Sequence, residues 1–156
     1  MSASTKFRDA MSRYPTGVTI VSAYYQGRAV GITANSFASV SLEPPLVLWS
    51  VARDAERAPA FIEAKRYSIS FLNQDQEDIA QFCAENDELP EGKWSENRFG
   101  FPVIDGANTV LDCRQFAVYA GGDHDIIVGE VLGISVVDRA GALTFYKSAY
   151  GKLGQD

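Results

Sequence analysis

Apolar positions along the chain recur at two different periods, and the shorter one dominates. Gly17 to Tyr25 (GVTIVSAYY) is β-branched and apolar, and predicts a strand. Gln26-Gly27 then supplies a turn, and Arg28 to Ile32 returns as the second strand of a hairpin. A short strand carries Phe37, Val40 and Leu42 and stops at Pro44-Pro45. The continuous apolar run Leu46 to Val51 predicts a strand buried on both faces. Tyr67 to Leu72, Thr109 to Tyr119, Asp125 to Val137 and Leu143 to Tyr146 complete the set. Within the long run after Asp125, Gly129 and Gly133 mark bends or bulges.

The helical period appears in three places. Ser4 or Thr5 is placed to cap a helix with Phe7, Ala10, Met11 and Tyr14 on one face, ended by Pro15. Asp54 to Ala64 predicts a second helix, with Asp54 as its N-cap and Phe61 and Ile62 inward. Asp75 to Glu85 predicts a third, with Ile79, Phe82 and Cys83 inward. Residues 86–108 have no clear period, but Trp94, Phe99 and Phe101 predict an ordered excursion. Strands outnumber helices and do not alternate with them, which disfavours a doubly wound sheet. Short strands with glycine bends favour a mainly β (α+β) closed or half-closed barrel in a single domain spanning 1–156.

Charge narrows the function. A net charge of −6 and a pI near 4.8 leave no basic surface for nucleic acid. One histidine and two separated cysteines, Cys83 and Cys113, cannot build a Cys/His zinc cage, and no metal site is expected. Both cysteines are expected as packed thiols. No apolar run reaches the length of a membrane span, and the N-terminus lacks the apolar core of a signal peptide. The expectation is a cytoplasmic protein with neither a membrane nor a nucleic-acid partner.

Three segments carry candidate chemistry. Gly31-Ile32-Thr33-Ala34-Asn35-Ser36-Phe37 groups small hydroxyl and amide side chains at a strand end, which suits an anion or a heterocycle edge. The same composition also suits a plain turn. Ser50-Val51-Ala52-Arg53 ends a strand just before an expected helix start. Free amides plus an arginine there suit a phosphate; an exposed arginine beside an ordinary cap is the alternative. Gly121-Gly122-Asp123-His124-Asp125 places the lone His124 between two carboxylates, which would raise its proton affinity; a structural histidine is again the alternative. No nucleophile triad can be argued from spacing, and no glycine-rich phosphate fingerprint joins a strand to a helix.

The order of several short pieces resembles one family over about residues 6–153. The pieces are Phe7-Arg8-Asp9-Ala10-Met11, Thr16-Gly17-Val18-Thr19-Ile20-Val21, and Gly31 to Phe37 (GITANSF). They continue through Ser39 to Val47 (SVSLEPPLV) and close with Gly122-Asp123-His124 and Gly129-Glu130-Val131. The chain is similar to the short-chain flavin reductases of two-component flavin monooxygenases. That resemblance implies an FMN-binding split β-barrel with peripheral helices, working as a homodimer. It implies that NADH or NADPH reduces FMN or FAD, and that a separate monooxygenase receives the reduced flavin. It further implies that Thr33, Ala34, Asn35 and Ser36 with Ser50, Val51, Ala52 and Arg53 hold the flavin, and that Phe71 and Asn73 line the same site. His124 matches a histidine near the nicotinamide, and Tyr146 and Tyr150 an aromatic border. Two other readings stay open: an FMN carrier that does not react with nicotinamide, and a structural barrel.

Overall fold

The computed structural model describes residues 2–137 and 141–154. Twelve strands and three helices follow one another among them. They are α1 (Ala3–Ser12), β1 (Thr16–Gly17), β2 (Thr19–Tyr25), β3 (Arg28–Ala34), β4 (Ala38–Leu42), β5 (Pro45–Ala52), α2 (Ala58–Glu63) and β6 (Arg66–Phe71). Then come α3 (Glu77–Glu85), β7 (Trp94–Glu96), β8 (Pro102–Ile104), β9 (Thr109–Gly121), β10 (His124–Val136), β11 (Ala142–Tyr146) and β12 (Ala149–Leu153).

Seven strands form one antiparallel sheet in the order β3-β2-β6-β9-β10-β5-β4. The β2–β3 hairpin closes on Gln26 and Gly27, both at positive φ, so the turn follows the right-handed twist of its strands. Edge strand β3 comes close to β5 without pairing with it. The sheet therefore curls around a core yet stays open along one seam, as a split barrel does. Trp49 sits at the centre of that core, with Phe61 and Tyr67 edge-on at 5.2 and 6.2 Å between ring centroids. A second cluster lies where α3 covers β2, built from Ile20, Leu72, Ile79, Cys83, Ile104 and Leu143. Cys83 and Cys113 are both free and buried, one in each cluster.

Several expectations change. The cap of α1 is Ser2, whose hydroxyl accepts from Thr5 N, and none of the helix is buried. Helix α2 starts at Ala58, not after Asp54. Pro59 fits only a first helical turn, so Arg53 to Arg57 form turns instead. In α3, Ile79 and Cys83 are buried but Phe82 faces outward. Strand β5 alternates: Val47, Trp49 and Val51 are buried while Leu46, Leu48 and Ser50 are only half-buried. Its apolar run covers one core face and one partly open face. Strand β3 continues to Ala34, because its partner β2 begins at Thr19 and pairs with it. The excursion at 86–108 contains the β7–β8 hairpin, and β12 follows β11. The glycine bends fall where expected, with register shifts at Val128/Gly129 and Val131/Gly133.

Candidate active site

The segments after β3 and at the end of β5 meet across the open seam of the curled sheet, where β3 comes close to β5. Strand β3 delivers Thr33 and Ala34, and the bend after it presents Asn35 and Ser36. The Thr33 hydroxyl donates to Ala80 O of α3 at 2.6 Å, so its proton is committed while its lone pairs stay available. Ala34 is buried and offers only backbone. The Asn35 amide makes no hydrogen bond among the described residues and faces a cleft. Ser36 Oγ accepts from Ser50 N at 2.9 Å, continuing the β4 edge of the ladder with a side chain. The same hydroxyl donates to Ser50 O at 3.3 Å, and the two bonds join the first two candidate segments.

On β5, Val51 is buried in the core, so only its backbone is available. Ser50 and Ala52 point to the opposite, partly open face. Register aligns Ala52 with His124 and Gly121, and Ser50 with Ile126 and Tyr119. His124 therefore sits one strand from the Ser50–Arg53 segment. Its Nδ1 lies 2.7 Å from Asp123 Oδ1. That hydrogen bond, and then the attraction of the ring, hold the Asp123 carboxyl below the usual carboxylate range. The second flanking carboxylate, Asp125, turns instead to Arg53, whose Nε and Nη2 lie 3.2 and 3.1 Å from its Oδ1. Arg53 N also donates to Asp123 O at 3.0 Å. With α2 beginning five residues later, no helix start stands behind Arg53. Its value to an anion rests on the guanidinium alone, of which Nη1 makes no hydrogen bond among the described residues.

A cleft of about 420 Å³ opens beside Asn35, within the ~300–1,000 Å³ span of small-molecule sites. Phe37 and Phe71 form one wall, edge to face at 5.0 Å, with Leu72 and Leu143 beside them. Asn35 and Asn108 stand on the lining, and Tyr14 to Thr19 lead into it. A smaller cleft of about 140 Å³ shares Val18 and Asn35 with the first and adds Thr33, Ala84, Phe145 and Tyr150. Tyr150 is half-buried against Phe145; burial, then Glu77 and Glu85, raise its phenol above the ordinary range. Tyr146 lies outside both clefts, exposed beneath the Lys147 ammonium. Asn73 lines neither: its Nδ2 donates to Gly106 O and its Oδ1 accepts from Asp75 N, so both ends of the amide are engaged.

Sequence reasoning assigned no role to Thr16 to Thr19 or Asn108, and placed Phe37 only at the end of the first candidate segment. Thr16-Gly17-Val18-Thr19 carries part of the family resemblance, and that was the available signal. Asn108 has none, since only the β9 fold-back brings it to Phe71 O, where its N–H donates at 2.8 Å. An apolar slot with an aromatic wall and an amide-bearing rim, joined through Ser36 and Ser50 to the strand that leads to Arg53, fits a planar heterocycle with a polar edge and an anionic tail. Among the described residues, no cluster of His, Cys, Asp and Glu could hold a metal, and no helix is long and apolar enough to cross a membrane.

The chain matches the flavin reductase like domain over residues 11–154. It is 42% identical to the FMN reductase (NADH) SmoA of Agrobacterium fabrum, over 97% of this chain and 87% of that protein. It is 34% identical to the reductase component of 4-hydroxyphenylacetate 3-monooxygenase from Thermus thermophilus, over 94% of this chain and 95% of that one. The solved NADH:FAD oxidoreductase SgcE6 of Streptomyces globisporus, in complex with NAD and FAD fragments, superposes with a TM-score of 0.92 at 32% identity. That match covers 99% of this chain and 94% of the other. Sequence along nearly the whole length, a matching fold and a cleft of fitting chemistry agree: this chain belongs to the flavin reductase-like domain family.

Proposed function

We propose that this protein is an NADH-dependent flavin reductase that reduces FMN or FAD and delivers the product to a separate monooxygenase. The observation that carries the reading is the aromatic-walled cleft whose rim holds the free Asn35 amide. Ser36, hydrogen-bonded to Ser50, ties that rim to Arg53 and His124. Its closest support among relatives is the name FMN reductase (NADH) and the binding of NAD and FAD fragments by SgcE6. The partner follows from relatives named as reductase components of monooxygenases.

When bound, flavin and nicotinamide supply the hydride chemistry themselves, and the chain's task is to bind, orient and exclude water. Thr33 lone pairs, the Asn35 amide and Ser36 meet the polar edge of the ring. Phe71 and Phe37 wall it off from solvent. Ser50 and the uncommitted Nη1 of Arg53 meet the phosphate, with Ala34, Val51 and Ala52 contributing backbone and shape. His124, held by Asp123, stands at the open side for the nicotinamide. Tyr150 borders the smaller cleft, and Tyr146 borders the site only if a second chain or the ligand reaches it. Asn73 supports the site by fixing the turn after Phe71.

The working unit is a homodimer. Leu42 on β4 and Phe116 and Tyr119 on β9 are large, apolar and exposed, as side chains that a partner surface would cover are. Tyr119 shares a cross-strand row with Ile126 and Ser50, so a second copy laid there would border the site. The buried free thiols fit a reducing cytoplasm.

The deciding experiment mixes the purified protein with NADH and free FMN in the absence of oxygen and follows the flavin absorbance. Rapid bleaching is expected, with FAD and NADPH as further arms. No bleaching with any pairing overturns the proposal. Light scattering is expected to give twice the mass of one chain, and Leu42→Glu to halve it; a wild-type monomer removes the dimer.

A further inference from the structure

Helix α3 ends without a cation of its own. No basic residue lies in its last turn, although carbonyls there lack intrahelical partners. Arg57, on the loop between β5 and α2, reaches across to them. Its Nη1 lies 2.6 Å from Cys83 O and 2.6 Å from Asn86 O, and its Nε 3.2 Å from Asp87 Oδ1. The same Nη1 lies 2.9 Å from Gly31 O on β3. The side chain is 14% exposed, so these contacts are made largely out of water. One guanidinium thus caps α3 from another element and fastens it to the edge strand of the sheet.

The fastening bears on the cleft two residues further along. Gly31 leads directly to Thr33, whose hydroxyl donates to Ala80 O of α3. Ala84 of α3 and Thr33 and Asn35 of the β3 end are walls of the same small cleft, and Arg57 is not. Apolar contacts of Ile79, Ala80 and Cys83 press α3 onto the core, but such contacts have no direction and would tolerate a sliding helix. Directional bonds set where along β3 the helix comes to rest. Just past the helix end Gly31 N donates to Asp87 O and Leu89 N to Ala29 O, and Arg57 and Thr33 add the side-chain bonds that hold the last two turns of α3 itself.

We propose that Arg57 is a positioning residue for flavin binding. It touches no ligand, and it sets the spacing between α3 and the Thr33–Asn35 rim. The inference rests on the flavin reading above and adds a residue that neither cleft contains.

The test is a double-mutant cycle in the full chain, read by FMN titration, with KM and kcat measured alongside. Arg57→Met is expected to raise the Kd and KM for FMN about tenfold, the size of one lost charged hydrogen bond, and to leave kcat at saturation nearly unchanged. Thr33→Val breaks the link from α3 to the rim. In that background Arg57→Met is expected to change Kd by less than about twofold, since residues acting through one another are not additive. A general loss of structure would instead lower kcat and give the same factor in both backgrounds. If Arg57→Met does not fold, Arg57→Lys takes its place in the cycle: it keeps the charge but not the second nitrogen that joins Asp87 to the carbonyls. A wild-type Kd in the Arg57 variant, or the same factor with and without Thr33→Val, overturns the inference while leaving the flavin reading intact. Failure of the wild-type protein to bind FMN overturns the reading itself.

Discussion

Arg53 and Asn35 differ in how much of each is free to meet a ligand. Two of Arg53's nitrogens already face Asp125, so a phosphate must share the guanidinium, whereas the Asn35 amide makes no hydrogen bond among the described residues. Arg53→Ala and Asn35→Ala are each expected to weaken FMN binding by about 1–3 kcal/mol, read by fluorescence titration, with Asn35 showing the cleaner loss. Unchanged titrations for both would place the site elsewhere. His124 stands apart from the cleft lining and beside Ala52 on the open face. His124→Ala is expected to lower NADH-dependent turnover by about 10- to 100-fold with FMN affinity unchanged, as for a group that helps orient a second substrate. Equal turnover would return the residue to a structural role with Asp123.

Among the elements, the two bulges in β10 are where a residue choice is most tightly bound to the fold. A side chain at Gly129 would overlap Tyr67 Oη, and Tyr67 is fully buried against Trp49. Gly129→Ala is therefore expected to cost about 1–3 kcal/mol in urea unfolding, the range for overpacking a filled core. Gly17, with no neighbour within 4 Å, should tolerate alanine in the same assay. The strands were legible because β-branched alternation reports which face is buried, and the bends because glycine has few reasons to sit mid-strand. Helix starts were not. Asp54 has the chemistry of a cap, but the position of Pro59 in the turn behind it decided the start. Phe82 has the right spacing for the core, yet a helix seated on a curved sheet buries a narrower stripe than its apolar residues span.

For the molecule as a whole, burial itself titrates. Burial pushes the Cys83 and Cys113 thiols up to about 12, from the usual value near 9, and raises the Tyr67 phenol as well. In the unfolded chain these groups lose their protons first. The stability they contribute is thus fully present below about pH 9 and drains away as pH climbs towards 12. The unfolding free energy from urea titration is expected to be lower at pH 10 than at pH 8, by about 1 kcal/mol for each thiol, with a lower midpoint, and Cys83→Ala with Cys113→Ala should flatten the difference. A midpoint that holds steady to pH 10 would mean the thiols are not shielded in solution.

The sequence by itself determined the mainly β class, eight of the twelve strands, both bulges and the segments with the composition to meet a polar heterocycle. Each depends on residues near one another in the chain: alternation, a glycine, a run of hydroxyls and amides. Only the tertiary structure decided which of those side chains are free. It sent Asp125 to Arg53 and not to His124, turned Ala34 and Val51 inward, engaged both ends of Asn73, and brought Asn108 and Arg57 to bear from distant segments. The physical reason is that a polar group's availability is set by what already satisfies it. In a sheet that curls on itself, the satisfying partner comes from whichever strand or helix the curl brings alongside.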